Sequence, residues 1–391
     1  MSHSFIERVK QQAIDKASDD NFGRSVSISG DWEIVGAPGK DASTGAAYLF
    51  GREPSTGILI QQQKLHDTLA LQAGSHFGVS VCINGDRAIV GAPGKSDGSV
   101  AGAAYVFKRN TNDTWDLEET LPPPHTGALF GFSVSINDKW ALVGAPHYDD
   151  GPGKKNAGAV YVYEVGVWTP VTLKADVPQA GSVFGYAVSI SDKWALVGAY
   201  KARDTANQTT GEAYIFAHNG TAWNPTPQTL QDPAPPAGEM FGLSVSINSH
   251  RAIVGAWGGN KPGGVGAAFL FEYDDPNQTW TKVQKLPGPT SDDNFGYAVA
   301  ISPDGDRALV GAMGDDEGND NVGAAFLFES EGGVWNQPPQ KLQACDKGRG
   351  DKFGIAVSIS GDRVAIGAHR EDTGGINAGA AYLFELSPCG C

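Results

Sequence analysis

The chain has 391 residues, 40% of them hydrophobic and 19% charged, a balance that excludes a disordered polymer and calls for packed cores. Its net charge of −15 argues against nucleic acid and anionic membrane as partners. No apolar run reaches the length of a membrane-spanning helix.

Residues 1–21 come first. The segment 5–14 alternates well enough to form a strand, although Phe5, Val9 and Ala13 also fit helical spacing. Residues 1–8 lack the apolar stretch of a signal peptide. From residue 22 onward one unit repeats seven times. Its Phe-Gly starts fall at Phe22, Phe77, Phe130, Phe184, Phe241, Phe295 and Phe353, with spacings of 55, 53, 54, 57, 54 and 58 residues. The second unit shows the pattern. Phe77 to Ile83 alternates as a strand, and Asn84-Gly85-Asp86 is a tight turn. Arg87 to Ala92 is a second strand, residues 93–101 a loop, Gly102 to Phe107 a third strand and Trp115 to Leu121 a fourth. Other fourth strands begin near Trp168, Trp223, Trp280 and Trp335.

Seven four-stranded units at this period predict an all-β fold, a seven-bladed β-propeller of antiparallel blades forming one domain over residues 1–391. Small residues in the first strands, such as Ser25, Ser27, Ser133 and Ser135, suit the crowded axis, and the tryptophans fill the wider rim. The seventh unit stops near Leu386 without a fourth strand, leaving 387–391 as a tail. An open edge invites unwanted pairing. The N-terminal segment 5–14 is therefore expected to close the last blade.

Each unit couples Phe-Gly with a later Gly-Ala-Pro or a relative of it, as in Phe22-Gly23 with Gly36-Ala37-Pro38 and Phe77-Gly78 with Gly91-Ala92-Pro93. In the last four units Tyr200, Trp257, Met313 and His369 replace the proline. These units resemble the FG-GAP repeats of integrin α-chain propellers, and more closely those of free-standing bacterial FG-GAP proteins. The resemblance implies an extracellular or cell-surface binding propeller for a protein or carbohydrate ligand, often with calcium. Without a leader in this sequence, a cytoplasmic location is the alternative. The integrin-type calcium loop is not matched, because the hairpins Ser29-Gly-Asp31 and Asn84-Gly-Asp86 are too short to wrap an ion.

Another place for calcium is the acidic loop with Asp315, Asp316, Glu317 and Asp320, its bland counterpart being a solvated acidic loop. Cys82 stands where other units carry Ser or Ala, and reads as a small buried residue. Cys389-Gly-Cys391 offers a metal- or thiol-handling alternative to a frayed tail. Arg349-Gly-Asp351 reads as loop chemistry before the next unit. Gly91-Ala-Pro-Gly-Lys-Ser96 lacks the first glycine and the helix of a phosphate loop. The sequons at Asn112, Asn207, Asn219 and Asn277 suit turns in any case.

No nucleophile is visibly matched with a base, so the expected role is non-catalytic binding or adhesion by a monomer. The alternatives are a calcium-dependent lectin or use of the C-terminal cysteines. The long variable loops share the face that carries Phe-Gly and Gly-Ala-Pro. The candidate ligand contacts there are His147, Tyr148, Tyr200, Trp257 and His369, since aromatic faces beside polar groups suit sugars.

Overall fold

The computed structural model describes residues 3–65, 71–94, 98–232, 238–258, 264–289, 293–316, 321–336 and 338–388. It forms seven antiparallel sheets, the blades of a propeller. The second blade runs outward through Ser80–Asn84, Arg87–Ala92, Ala103–Arg109 and Trp115–Leu121. The sixth blade has a split outer strand, Val334–Trp335 and Gln340–Leu342, both paired with Ala324–Glu331. Pro338 and Pro339 lie in that break and cannot donate to a ladder.

The Phe-Gly pair lies mostly outside the regular inner strand. The residue before each Phe (Asn21, His76, Leu129, Val183, Met240, Asn294 and Lys352) is left-handed, with φ between 54° and 60°. The glycine after it is also left-handed: φ is 90° at Gly78, where a Cβ would lie 2.2 Å from the Ala46 carbonyl oxygen of the preceding blade. The Phe is thus a peg. Phe77 bridges to Gly45 of the preceding blade while its ring packs on Tyr105 and Phe107 of its own, with centroids 5.4 and 6.3 Å away. This double attachment explains why the pair recurs.

The hydrophobic cores lie between blades. Each of seven clusters draws residues from two adjacent blades. Near the axis a side-chain ladder links the inner strands. Ser27 Oγ accepts from the Ile83 amide at 3.1 Å, Ser189 Oγ from Ile247 at 3.1 Å, and Ser358 Oγ from Ile28 at 3.1 Å. Cys82 Sγ takes the same role toward the Ile136 amide at 3.5 Å, which explains a cysteine at a serine position. At the rim, Trp32–Trp115, Trp140–Trp223 and Trp194–Trp280 meet edge to face across adjacent blades at 5.4, 5.3 and 5.4 Å. Arg251 over Trp335 and Arg307 over Phe5 replace this contact elsewhere, at 5.5 and 5.6 Å.

The last blade takes its outer strand from the other end of the chain. His3–Gln11 pairs antiparallel with Ala380–Pro388, from His3 opposite Pro388 to Gln11 opposite Ala381. Three details mark it as an ordinary fourth strand. Phe5 takes the rim position that tryptophan holds in other blades. The register shifts between Glu7 and Val9, opposite Phe384 and Leu383, as it shifts opposite Leu49 and Phe50 in the first blade. Gln340 brackets Phe5, accepting from its amide at 3.0 Å and donating to its carbonyl at 2.7 Å. Gln63 brackets Trp115 in the same way at 2.9 and 2.7 Å. The strand ends at Gln11, short of residue 14, and its partner continues into the expected tail as far as Pro388. Cys389 and Cys391 lie outside the described residues.

Candidate ligand-binding site

The inner strands surround a cavity of about 220 Å³ on the propeller axis. Every blade contributes the second residue after its Phe: Arg24, Val79, Phe132, Tyr186, Leu243, Tyr297 and Ile355. The left-handed glycine just before each of these positions re-aims the strand, so the side chains converge toward the axis. The next residue of each strand also lines the cavity: Ser25, Ser80, Ser133 and Ser244 in four blades, Ala187, Ala298 and Ala356 in three. The serines also hold the ring, as Ser133 Oγ donates to the Gly185 carbonyl at 2.8 Å and Ser244 Oγ to the Gly296 carbonyl at 2.9 Å.

The lining is uneven. Phe132 and Tyr186 touch, with ring centroids 4.8 Å apart. Burial, with smaller effects from Tyr297 and Tyr200, pushes the Tyr186 phenol well above its ordinary value, and Arg24 opposes the shift. Tyr186 therefore stays a neutral donor and acceptor. Arg24 is the one charged residue that lines the cavity among the described residues. None of them lies within hydrogen-bond or ion-pair distance of its guanidinium.

The expected contact residues divide into two places. Tyr200 packs edge to face on Tyr186 at 4.5 Å, and Trp257 packs likewise on Tyr297 at 6.0 Å. Trp257 Nε1 also donates to Asn294 Oδ1. Both aromatics thus brace cavity-lining residues and do not themselves line the cavity. His369 belongs to the same neighbourhood. Burial, then Arg24, Arg370 and Lys352, push its imidazole down to about 3, and its buried Nδ1 has no hydrogen-bond partner among the described residues. His147 and Tyr148 lie elsewhere, in a shallow depression with His125, Thr126, Asp149 and Asn156. There Tyr148 stacks near His125 at 4.9 Å and beneath Lys174 Nζ at 4.9 Å. Burial and Lys201 lower the His147 pKa despite Asp149.

The acidic loops meet lysines. Asp315 is buried and pairs with Lys341 Nζ at 2.7 Å, Asp150 pairs with Lys174 at 2.6 Å, and Glu371 with Lys10 at 2.9 Å. The Asp316 carboxylate accepts from the Asn321 amide at 2.6 Å. Glu317 and Asp320 lie outside the described residues, as do Lys95 and Ser96. Among the described residues no group of three or more His, Cys, Asp or Glu could hold a metal ion. Asp351, the acid of Arg-Gly-Asp, is buried and accepts from the Gly348 amide at 2.6 Å. It therefore serves the loop before Phe353.

Sequence reasoning passed over Arg24, Phe132, Tyr186 and Tyr297 because they sit inside the repeated strand. A signal was present, however. The position two after Phe varies from Arg to Val to Tyr while its neighbours stay nearly constant. Among the described residues no helix is long and apolar enough to cross a membrane.

No curated protein matches the chain in a sequence search. A family profile does. The FG-GAP repeat matches seven times, over residues 5–50, 60–107, 124–163, 169–216, 230–271, 280–328 and 335–384. Its units run from within or close to one outer strand to the third strand of the next blade, and the first unit opens within the closing strand. With seven matched units covering most of its length and seven blades in its ring, the chain belongs to the FG-GAP repeat family.

Proposed function

We propose that this propeller is a non-catalytic binding module that takes a protein or carbohydrate partner on its Phe-Gly face, with the axial cavity as the anchoring point. The observation that carries this reading is the convergence of Phe132, Tyr186 and Tyr297, from three blades, on one small opening. Aromatic rings supply flat apolar contact, and Tyr adds a hydroxyl that can donate and accept. Surrounding serines and backbone groups can bond a polar ligand. The volume falls below the roughly 300–1,000 Å³ of sites for drug-sized molecules, which favours one sugar ring or one protruding side chain.

A glycan array and an affinity capture, both with the intact chain, test the reading. Tyr186→Ala and Tyr297→Ala should each weaken the bound partner about tenfold, the equivalent of about 1.4 kcal/mol. Binding that survives both changes places the site elsewhere. A chelator should leave the signal unchanged. Loss on chelation favours the calcium-dependent lectin alternative.

A further inference from the structure

Resting on that reading of the axial face, we propose that the ligand carries a carboxylate that Arg24 recognises, so that the cavity selects an acidic sugar, such as a uronate unit of a glycan, over a neutral one. Three observations lead there. First, Arg24 lines the cavity with no protein partner for its guanidinium among the described residues, and no carboxylate lines the cavity with it. Several other arginines of this chain are paired: Arg87 with Glu118 at 2.8 Å, Arg251 with Glu272 at 2.8 Å and Arg307 with Glu329 at 3.0 Å. Second, the charged groups that act on nearby His369 are Arg24, Arg370 and Lys352, all cationic. Third, the rest of the lining is neutral and includes the aromatic rings of Phe132, Tyr186 and Tyr297. A short acidic side chain would meet Arg24 alone, whereas a pyranose carboxylate also brings a ring and hydroxyls to the aromatic and serine residues of the lining. The planar fork of arginine suits bidentate carboxylate binding.

The test uses the intact chain, with oligogalacturonate and a neutral galactose oligomer of the same length as probes in calorimetry. The acidic oligomer should bind at least tenfold more tightly, and the preference should shrink as salt rises. Arg24→Gln should abolish the preference, Arg24→Lys should keep part of it, and neither should move the melting temperature, because the guanidinium holds nothing else together. Val79→Tyr narrows the opening from another blade, at a repeat position where Tyr186 and Tyr297 already stand, and should weaken the acidic oligomer too. Equal binding of both oligomers, unchanged by Arg24→Gln, overturns the acidic selectivity while leaving the face assignment standing. If neither oligomer binds, the sugar assignment fails as well. Competition by poly-glutamate alone overturns the sugar in favour of an acidic protein segment.

Discussion

The seventh blade and the six before it are built to one plan but closed in different ways. In the first six the outer strand follows the third in sequence. In the seventh it arrives from the far end of the chain, and strand pairing and side-chain contacts hold it. The rim contact, the register shift and the glutamine bracket are nonetheless reproduced. What differs is polarity. On the second strand, the position facing the third-strand aromatic is Ala88, Ala141, Ala195, Ala252, Ala308 or Val364 in six blades, and Glu33 in the first. Glu33 is fully buried against the closing strand's Gln11, and neither side chain makes a well-formed hydrogen bond among the described residues. Burial pushes the Glu33 carboxyl up to about 8, with Gln11 easing the ionised form only in part. The joint that lacks a covalent link is also where a titratable group is buried.

The severest way to break this comparison is to remove the closing strand. Deleting residues 1–12 should lower the melting temperature by more than roughly 10 °C and promote association through the exposed edge of Ala380–Pro388, read by calorimetry and size-exclusion chromatography. A melting temperature near that of the full chain would show that the other interfaces alone hold the ring.

Titration of Glu33 comes next. Below about pH 4.5 both folded and unfolded states keep the proton. Between that point and about pH 8 only the unfolded state releases it, so stability falls as pH rises and levels off above about 8. Glu33→Gln should match the parent near pH 5 and exceed it near pH 9, by on the order of 4 kcal/mol. Parallel denaturation curves for the two proteins at both pH values would refute a buried, protonated Glu33.

The brackets allow a finer comparison. Gln340→Ala and Gln63→Ala each remove two hydrogen bonds to a neighbouring outer strand, and each should cost about 1–3 kcal/mol in urea unfolding. Similar losses would mean that the joints are equivalent apart from connectivity. A far larger loss for Gln340→Ala would mean that closure depends on the bracket. The smallest effect belongs to Cys82→Ser, which restores the ladder residue found in other blades and should change stability by less than about 1 kcal/mol.

Much of the fold was legible because repetition multiplies weak signals. A single alternating strand such as Ser80–Asn84 is ambiguous, but seven in register with turns and Gly-Ala pairs leave one architecture. The role of Phe-Gly was harder to read. Its left-handed glycine accommodates the backbone of another blade, as Gly78 does that of Ala46, 32 residues earlier in the chain. The candidate site was legible only at its margin. Tyr200 and Trp257 stood out as aromatics at the position that holds proline in the first three units, yet they brace Tyr186 and Tyr297. The residues that line the cavity looked like ordinary strand positions, since one sequence cannot say which of seven similar strands faces a neighbour's aromatic or a neighbour's serine. The acidic loops looked open to a cation until Lys341, Lys174 and Lys10 came to lie beside them.

By itself the sequence determined the blade: its strands, its short hairpins, its count of seven and the want of a fourth strand at the end. These follow from local alternation, turn chemistry and period, which act over a few residues and so are written along the chain. Tertiary structure decided what the blades make together, namely the axial cavity, an unpaired Arg24 within it and a buried Glu33 at the joint that lacks a covalent link. Each of these depends on which groups from distant repeats exclude water from one another, and that is set only when the ring closes.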